Sequence, residues 1–296
     1  MPDAGRQSCP AGLSGSFSGV TLGFGYLGEG GSTMAMVLGD VEVAFTTMFT
    51  FRWSDENSGA HRDGGFWHPL PPRGFHALGS LGCPSYDDPN GEVVAVCVRQ
   101  AADRPAALAG PVDYRWIYDS TETGSATSGS IWRPVPPSGY APLGDVCVAG
   151  FDKPGPSQVV CVRTDLTTPG STSVIIWYTE GSGGTFQASM AQISAPARDE
   201  HADGQAKAVI APGSFVTYVP HTPSPAMNGE TQILRLPPLP GPWPSCRPPP
   251  ALPGAGGTQV GRALETNRGS PRADRRSIPV AADGRLLVIG GDDEPC

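Results

Sequence analysis

Phe66-Trp67-His68-Pro69-Leu70-Pro71-Pro72-Arg73-Gly74-Phe75-His76-Ala77-Leu78-Gly79 returns 65 positions later, without a gap, as Ile131-Trp132-Arg133-Pro134-Val135-Pro136-Pro137-Ser138-Gly139-Tyr140-Ala141-Pro142-Leu143-Gly144. The tryptophan, three prolines, two glycines and a leucine are identical, and the aromatic after the first glycine is kept as Phe75 or Tyr140. Agreement in so many rare residue types marks an internal repeat, a chain built from copies of one supersecondary unit.

The match extends in both directions. Cys83 pairs with Cys147, and Cys97-Val98-Arg99 with Cys161-Val162-Arg163. Upstream, Phe51-Arg52-Trp53-Ser54-Asp55 resembles Tyr114-Arg115-Trp116-Ile117-Tyr118-Asp119. A third, degenerate copy starts at Ser173, where Val174-Ile175-Ile176-Trp177-Tyr178 leads into Gly181-Ser182-Gly183-Gly184. Its Pro-Pro element is missing, and Ala211-Pro212-Gly213-Ser214-Phe215 reads as the remnant.

Each copy follows one physical logic. An aromatic strand ends in a Gly/Ser/Asp loop, where positive φ and side-chain-to-backbone bonds are easily made. A second strand ends at Trp67 or Trp132, because proline cannot donate to a sheet ladder. Pro71 and Pro136 sit in a run that holds the chain extended, and Gly74 and Gly139 permit a turn that returns an aromatic to the core. Trp67, Pro71, Gly74, Trp132, Pro136 and Gly139 are therefore read as structural anchors of the unit. A hairpin follows, with strands at 143–149 and 158–163 in the second copy and Asp87-Asp88-Pro89-Asn90-Gly91 as the tip in the first. On that reading Cys83 faces Cys97 and Cys147 faces Cys161, either as small buried residues or as disulfides.

The predicted fold is all-β, built of pseudo-repeated antiparallel Greek-key units in a β-prism-like arrangement. Residues 1–31 form a Gly-rich start. Residues 32–236 form the β-repeat domain, with copies at about 45–110 and 111–172 and a degenerate copy at 173–236. Within it, residues 33–53 partly alternate, with Val41, Val43 and Phe45 on one phase, and predict one or two strands. Nine of the seventeen residues 237–253 are proline, which predicts an extended linker, and 237–296 is expected to be a Pro-rich disordered tail.

Composition narrows the functional classes. The net charge is -8 with no Lys/Arg cluster, so a phosphate-tracking groove is not expected and nucleic acid is excluded as a partner. The same charge opposes docking on anionic lipid, except through a local patch. No apolar run is long enough for a spanning helix, which leaves peripheral membrane contact open, and the start lacks a signal-type stretch. A cytoplasmic location is the expectation. The seven cysteines show no CxxC spacing, so no zinc site is expected.

No hydrolase elbow, metalloprotease helix, phosphate loop or dinucleotide fingerprint is present. The reading is a non-enzyme with no catalytic residue, no metal and no cofactor. His68 and His76 fall where the second copy has Arg133 and Ala141, so with His61 they do not define the unit. Asp87 to Glu92 carries oxygen ligands of cation type, but the matching loop has Lys153, which favours a solvated tip. Binding is assigned instead to the loops, which a rigid sheet would present together. The candidates are Asp55, Ser58, Gly59, Asp63, Asp119, Gly124, Ser125, Gly181, Ser182 and Gly183.

Phe51-x-Trp-x-Asp with Ser58-Gly59 and Asp63-Gly64, the Trp67 element, and the second copy from Ser130-Ile131-Trp132 through Cys161-Val162-Arg163-Thr164-Asp165-Leu166 resemble the vacuolar protein sorting-associated protein 62 family over about residues 45–236. A related element occurs in vacuolar protein sorting-associated protein 13 type lipid-transfer proteins. The resemblance implies β-prism-like Greek-key units and a link to vacuolar sorting and membrane-associated complexes, peripheral to vacuolar or endosomal membrane. It carries no catalytic residue over. The leading expectation is an interaction module that binds a protein or lipid headgroup through its loops. The alternatives are a carbohydrate-binding lectin with a glycan ligand, and a toxin or pore-associated targeting domain.

Overall fold

A computed structural model describes residues 35–196, 209–219 and 231–235. The Gly-rich start and the Pro-rich tail expected at 237–296 lie outside these residues. The described chain is all-β, in several small antiparallel sheets, with one 3-10 turn at Thr164–Leu166 and no α-helix.

Three sheets share one strand order. The first joins β3 (Phe49–Ser54), β4 (Gly65–Pro69) and β6 (Leu81–Cys83), with β4 central. The second joins β9 (Asp113–Asp119), β10 (Gly129–Val135) and β12 (Val146–Ala149) around β10. The third joins β15 (Ser171–Tyr178), β16 (Ser189–Ser194) and β18 (Phe215–Tyr218) around β16. In each, the first strand carries a one-residue bulge, between Phe51 and Trp53, between Trp116 and Tyr118, and between Ile175 and Trp177. A bulge bends the strand and re-aims the next side chain. Here the re-aimed residues are Trp53, Tyr118 and Trp177, all fully buried.

The remaining strands form three further sheets. β1 (Met36–Leu38), β2 (Val41–Thr46), β7 (Ala95–Gln100) and β5 (His76–Ala77) pair in that order. β11 (Tyr140–Ala141), β13 (Cys161–Arg163) and β8 (Leu108–Ala109) make the next, and β14 (Thr167–Pro169), β19 (Gln232–Arg235) and β17 (Val209–Ile210) the last. The stretch 33–53 thus supplies β1, β2 and β3. Val41 and Val43 are buried, and Phe45 packs against the same core.

The hairpin expected after each Pro-rich element does not form. β6 pairs with β4 while β7 pairs with β2 and β5, and β12 pairs with β10 while β13 pairs with β8 and β11. The connections are longer than the tight loops that force two strands into one ladder, and each strand finds a vacant edge in a different sheet. Cys97, Cys147 and Cys161 are buried free thiols, so neither expected cysteine pair is bridged.

The central strands also run past tryptophan. Pro69 lies opposite Phe49 and Pro134 opposite Tyr114. The N–H of Leu70 turns toward Met48, so the Pro69 nitrogen faces the side on which β6 has already ended, where no ladder bond is lost. The turn that follows closes through Phe75 N–H to the Pro72 carbonyl, and through Tyr140 N–H to that of Pro137, with Gly74 and Gly139 at positive φ.

Two apolar clusters dominate the core. One joins Val43, Leu78, Val98, Leu143, Val162 and Leu234. The other, beneath the loops, joins Trp53, Phe66, Tyr118, Ile131, Trp177 and Phe215. Trp67 and Trp132 are buried in smaller clusters with Leu81 and Val146 respectively.

Candidate functional site

The three Gly/Ser/Asp loops, at 55–64, 120–129 and 179–188, are built alike. The N–H of Asp55, Ser120 or Thr179 donates across the loop base to the carbonyl of Gly64, Gly129 or Ala188. Their side chains accept the return bond, from Gly64 to Asp55 Oδ1 at 2.7 Å, from Gly129 to Ser120 Oγ at 3.0 Å and from Ala188 to Thr179 Oγ1 at 3.1 Å. A hydroxyl three residues on, in Ser58, Thr123 or Ser182, accepts from the backbone N–H of Ala60, Ser125 or Gly184. Asn57, Glu122 and Gly181 take positive φ at one position, and Gly59, Gly124 and Gly183 two residues on. The second position is glycine in every loop because φ > 0 is strained for other residues.

These bonds set the equivalences between loops. Trp53 is level with Tyr118 and Trp177, and Asp55 with Ser120 and Thr179, so Asp119 matches Ser54 rather than Asp55.

The loops also hold one another. Ala126 N–H donates to the Glu56 carbonyl at 2.7 Å, Thr185 N–H to that of Thr121 at 3.4 Å, and His61 N–H to that of Glu180 at 2.9 Å. Donors and acceptors occupy matched positions, so the three bonds close a ring. Beneath it Trp53, Tyr118 and Trp177 touch pairwise, with ring centroids 5.9, 5.3 and 5.6 Å apart. Aromatic contacts of this geometry contribute about 0.5–1.5 kcal/mol each beyond area burial.

The candidates therefore share one end of the molecule in different roles. Asp55, Ser58 and Ser182 are buried and bonded within the loops. Burial raises the Asp55 carboxyl above the usual range, and its Oδ1 also accepts from Tyr86 Oη at 3.1 Å. Gly59, Asp63, Gly124, Gly181 and Gly183 are exposed, while Asp119 and Ser125 are half-buried. Ser125 Oγ donates to the Thr127 carbonyl at 2.8 Å. The open face carries Glu56, Asp63, Glu122 and Glu180 against His61 and Arg62. Among the described residues no three His, Cys, Asp or Glu side chains gather to hold a metal ion.

The histidines separate. His61 is exposed with Nδ1 3.9 Å from Glu180 Oε1, and His76 is exposed on β5. His68 is buried between Ser80 Oγ at 3.0 Å and the Gln158 carbonyl at 3.2 Å. The tip at 87–91 is a turn in which Asp88 bonds Asn90, and Asn90 Oδ1 accepts the N–H that begins β3.

Sequence reasoning missed Trp116 and Phe186. Their rings meet edge-on at 4.8 Å, and Trp116 Nε1 donates to Asp119 Oδ2 at 3.2 Å. Aligned by sequence, Trp116 falls on Trp53, which conceals its exposure.

The family model described as vacuolar protein sorting-associated protein 62 matches residues 22–236. The chain belongs to the vacuolar protein sorting-associated protein 62 family. All three loops lie inside the segment that defines its membership. No curated protein matches the chain. Among solved structures, GNIP1Aa from Chromobacterium piscinae is similar at 21% identity and a TM-score of 0.53, over 65% of this chain and 37% of that one. That likeness concerns the fold alone, and this family member spans well under half of the longer protein. Among the described residues no helix is long and apolar enough to cross a membrane.

Proposed function

We infer that this chain is a non-enzymatic binding module: a β-prism of three Greek-key units about a pseudo-threefold axis, with the loop end as its ligand face. The observation that carries this reading is the closed ring of inter-loop hydrogen bonds. Ordering a loop on binding costs free energy, and loops already clamped to one another escape that cost. Their exposed side chains thus form a preorganised surface on a rigid sheet.

Two further observations support it. A similar fold occupies about a third of a longer chain, as expected of a module that targets something attached to it. The Ser–His contact at Ser80 and His68 is buried, and Ser80 Oγ already accepts the N–H of Cys147 at 3.0 Å, which leaves little for nucleophilic chemistry. Family membership supports a vacuolar-sorting context, and the location proposed with it is the cytoplasmic side of a vacuolar or endosomal membrane.

The test is flotation of the full chain with mixed phospholipid vesicles, alongside a glycan array. Glu56→Gln with Glu122→Gln on the loop face should change the bound fraction, while Asp87→Asn with Glu92→Gln at the turn beside the start of β3 should not. Retention only on glycans would assign the same face a sugar. Binding altered only by the second pair would overturn the reading.

A further inference from the structure

The three loop seats serve as controls for one another. The bulge places Phe51, Trp116 and Ile175 at one matched position, and the loop position of Phe186, which meets Trp116, is held by Thr127 and Arg62 in the other two loops. The fold is therefore satisfied by an isoleucine or phenylalanine at the first position, and by a threonine or arginine at the second. Phe51 meets Trp67 of its own sheet, whereas Trp116 meets an aromatic supplied by another loop, and of the three strands only this one ends in a carboxylate, Asp119, where the others have Ser54 and Tyr178. Trp116 keeps 37% of its surface exposed although Phe186 and Asp119 hold its ring in place. An indole pinned at a loop end with its N–H already bonded offers a ligand its π-face.

The rim narrows the chemistry. Asp119 Oδ2 accepts from Trp116, its Oδ1 accepts from Thr121 N–H at 3.0 Å, and Glu122 Oε2 accepts from Thr185 Oγ1. The two carboxylates give the seat negative potential, while three of their four oxygens already accept bonds within the loops, which leaves only part of their lone-pair capacity. A primary ammonium, a guanidinium or a sugar hydroxyl brings donors that need vacant acceptors. A quaternary ammonium has no donor and needs only an aromatic face and diffuse negative charge. An anionic headgroup would be repelled.

We propose that Trp116, with Phe186, Asp119 and Glu122, forms a seat for a trimethylammonium group, free or carried on a choline headgroup. This rests on the loop end being the ligand face. The probe is tetramethylammonium chloride, titrated into the full chain by calorimetry or saturation-transfer NMR, with methylammonium as the comparison. Tetramethylammonium should bind more tightly than methylammonium. Trp116→Ala should weaken it about fivefold or more, Asp119→Asn should weaken it less, and Phe51→Ala at the matched seat should leave it unchanged. Near-ultraviolet circular dichroism checks that each variant is folded, and Asp119→Asn tests the seat if Trp116→Ala is not.

Flotation on phosphatidylcholine against phosphatidylethanolamine vesicles separates the two sources: binding in solution without flotation assigns a soluble quaternary amine. No tetramethylammonium binding, equal binding of methylammonium, or equal sensitivity to Phe51→Ala overturns the proposal. If flotation then still responds to Glu56 and Glu122, the binding-module reading stands without this seat.

Discussion

Arg133 grips Asp145 through two parallel hydrogen bonds, Nε to Oδ1 at 2.8 Å and Nη2 to Oδ2 at 3.0 Å, with Asp145 almost fully buried. The pair reaches into a neighbouring sheet. Arg133 Nη2 also donates to the Thr217 carbonyl, and Thr217 N–H donates back to Asp145 Oδ2, both at 2.7 Å. β10 and β18 are thus tied by charge as well as by the core. Asp145→Ala would take the carboxylate away from a largely buried guanidinium and from a backbone N–H. The expected cost is about 3–5 kcal/mol, measured as a fall in the urea midpoint at unchanged slope.

Gly129 is closed to any side chain. A Cβ there would run into the Trp53 ring, as one at Gly64 would run into Trp177. Gly129→Ala should therefore cost about 1–3 kcal/mol through overpacking and displace the aromatic contact beneath the loops. Thermal unfolding and the near-ultraviolet signal of the tryptophans report both effects. The third loop already holds Ala188 at the matching position, so Ala188→Gly should cost only about 1 kcal/mol.

His68 makes stability depend on pH. Burial, with Arg52 adding to it, lowers its pKa from 6.5 to about 4. The unfolded chain therefore binds a proton between these values while the folded chain does not. Stability falls as pH drops through 6.5 toward 4, by about 3 kcal/mol in all, and this contribution changes no further below 4. Urea titrations across that window should show the slope, and His68→Gln should flatten it.

Cys97, Cys147 and Cys161 have no accessible surface, and burial pushes the thiols of Cys97 and Cys161 up to about 12. Cys147 moves the same way. Reactive cysteines need thiolate character and access. Iodoacetamide at neutral pH should leave all three unmodified in the folded chain and alkylate them in urea, as read by mass spectrometry. Modification of Cys161 in the native state would show that β13 opens locally.

The strands and loops were legible because Trp, Pro and Gly act locally: a proline run limits a ladder, and a glycine admits positive φ. The strand partners were not. Turn-rich residues after Cys83 and Cys147 look alike whether the chain doubles back on itself or crosses to another sheet, because the vacant edge that a strand finds is set by distant residues. The register of the loops was misjudged for a different reason. Aligning Trp53 with Trp116 in place of Tyr118 is a shift of two residues, and two residues return a strand to the same face, so alternation could not expose the error. The pair Trp116 and Phe186 joins β9 to the loop at 179–188, beyond the reach of any local motif.

The bond from His61 to Glu180 means that the first loop to be synthesised is fully secured only when the third has been made. When the ribosome has delivered residues up to Gly144, Trp53 and Tyr118 exist but Trp177 does not, and β14, once made, must still await Gln232–Arg235. Contacts of such long sequence separation slow folding, and the waiting aromatics are exposed apolar surface prone to aggregation. Co-translational folding of this chain is therefore a wait for Gln232–Arg235, during which a holding chaperone has the most to protect.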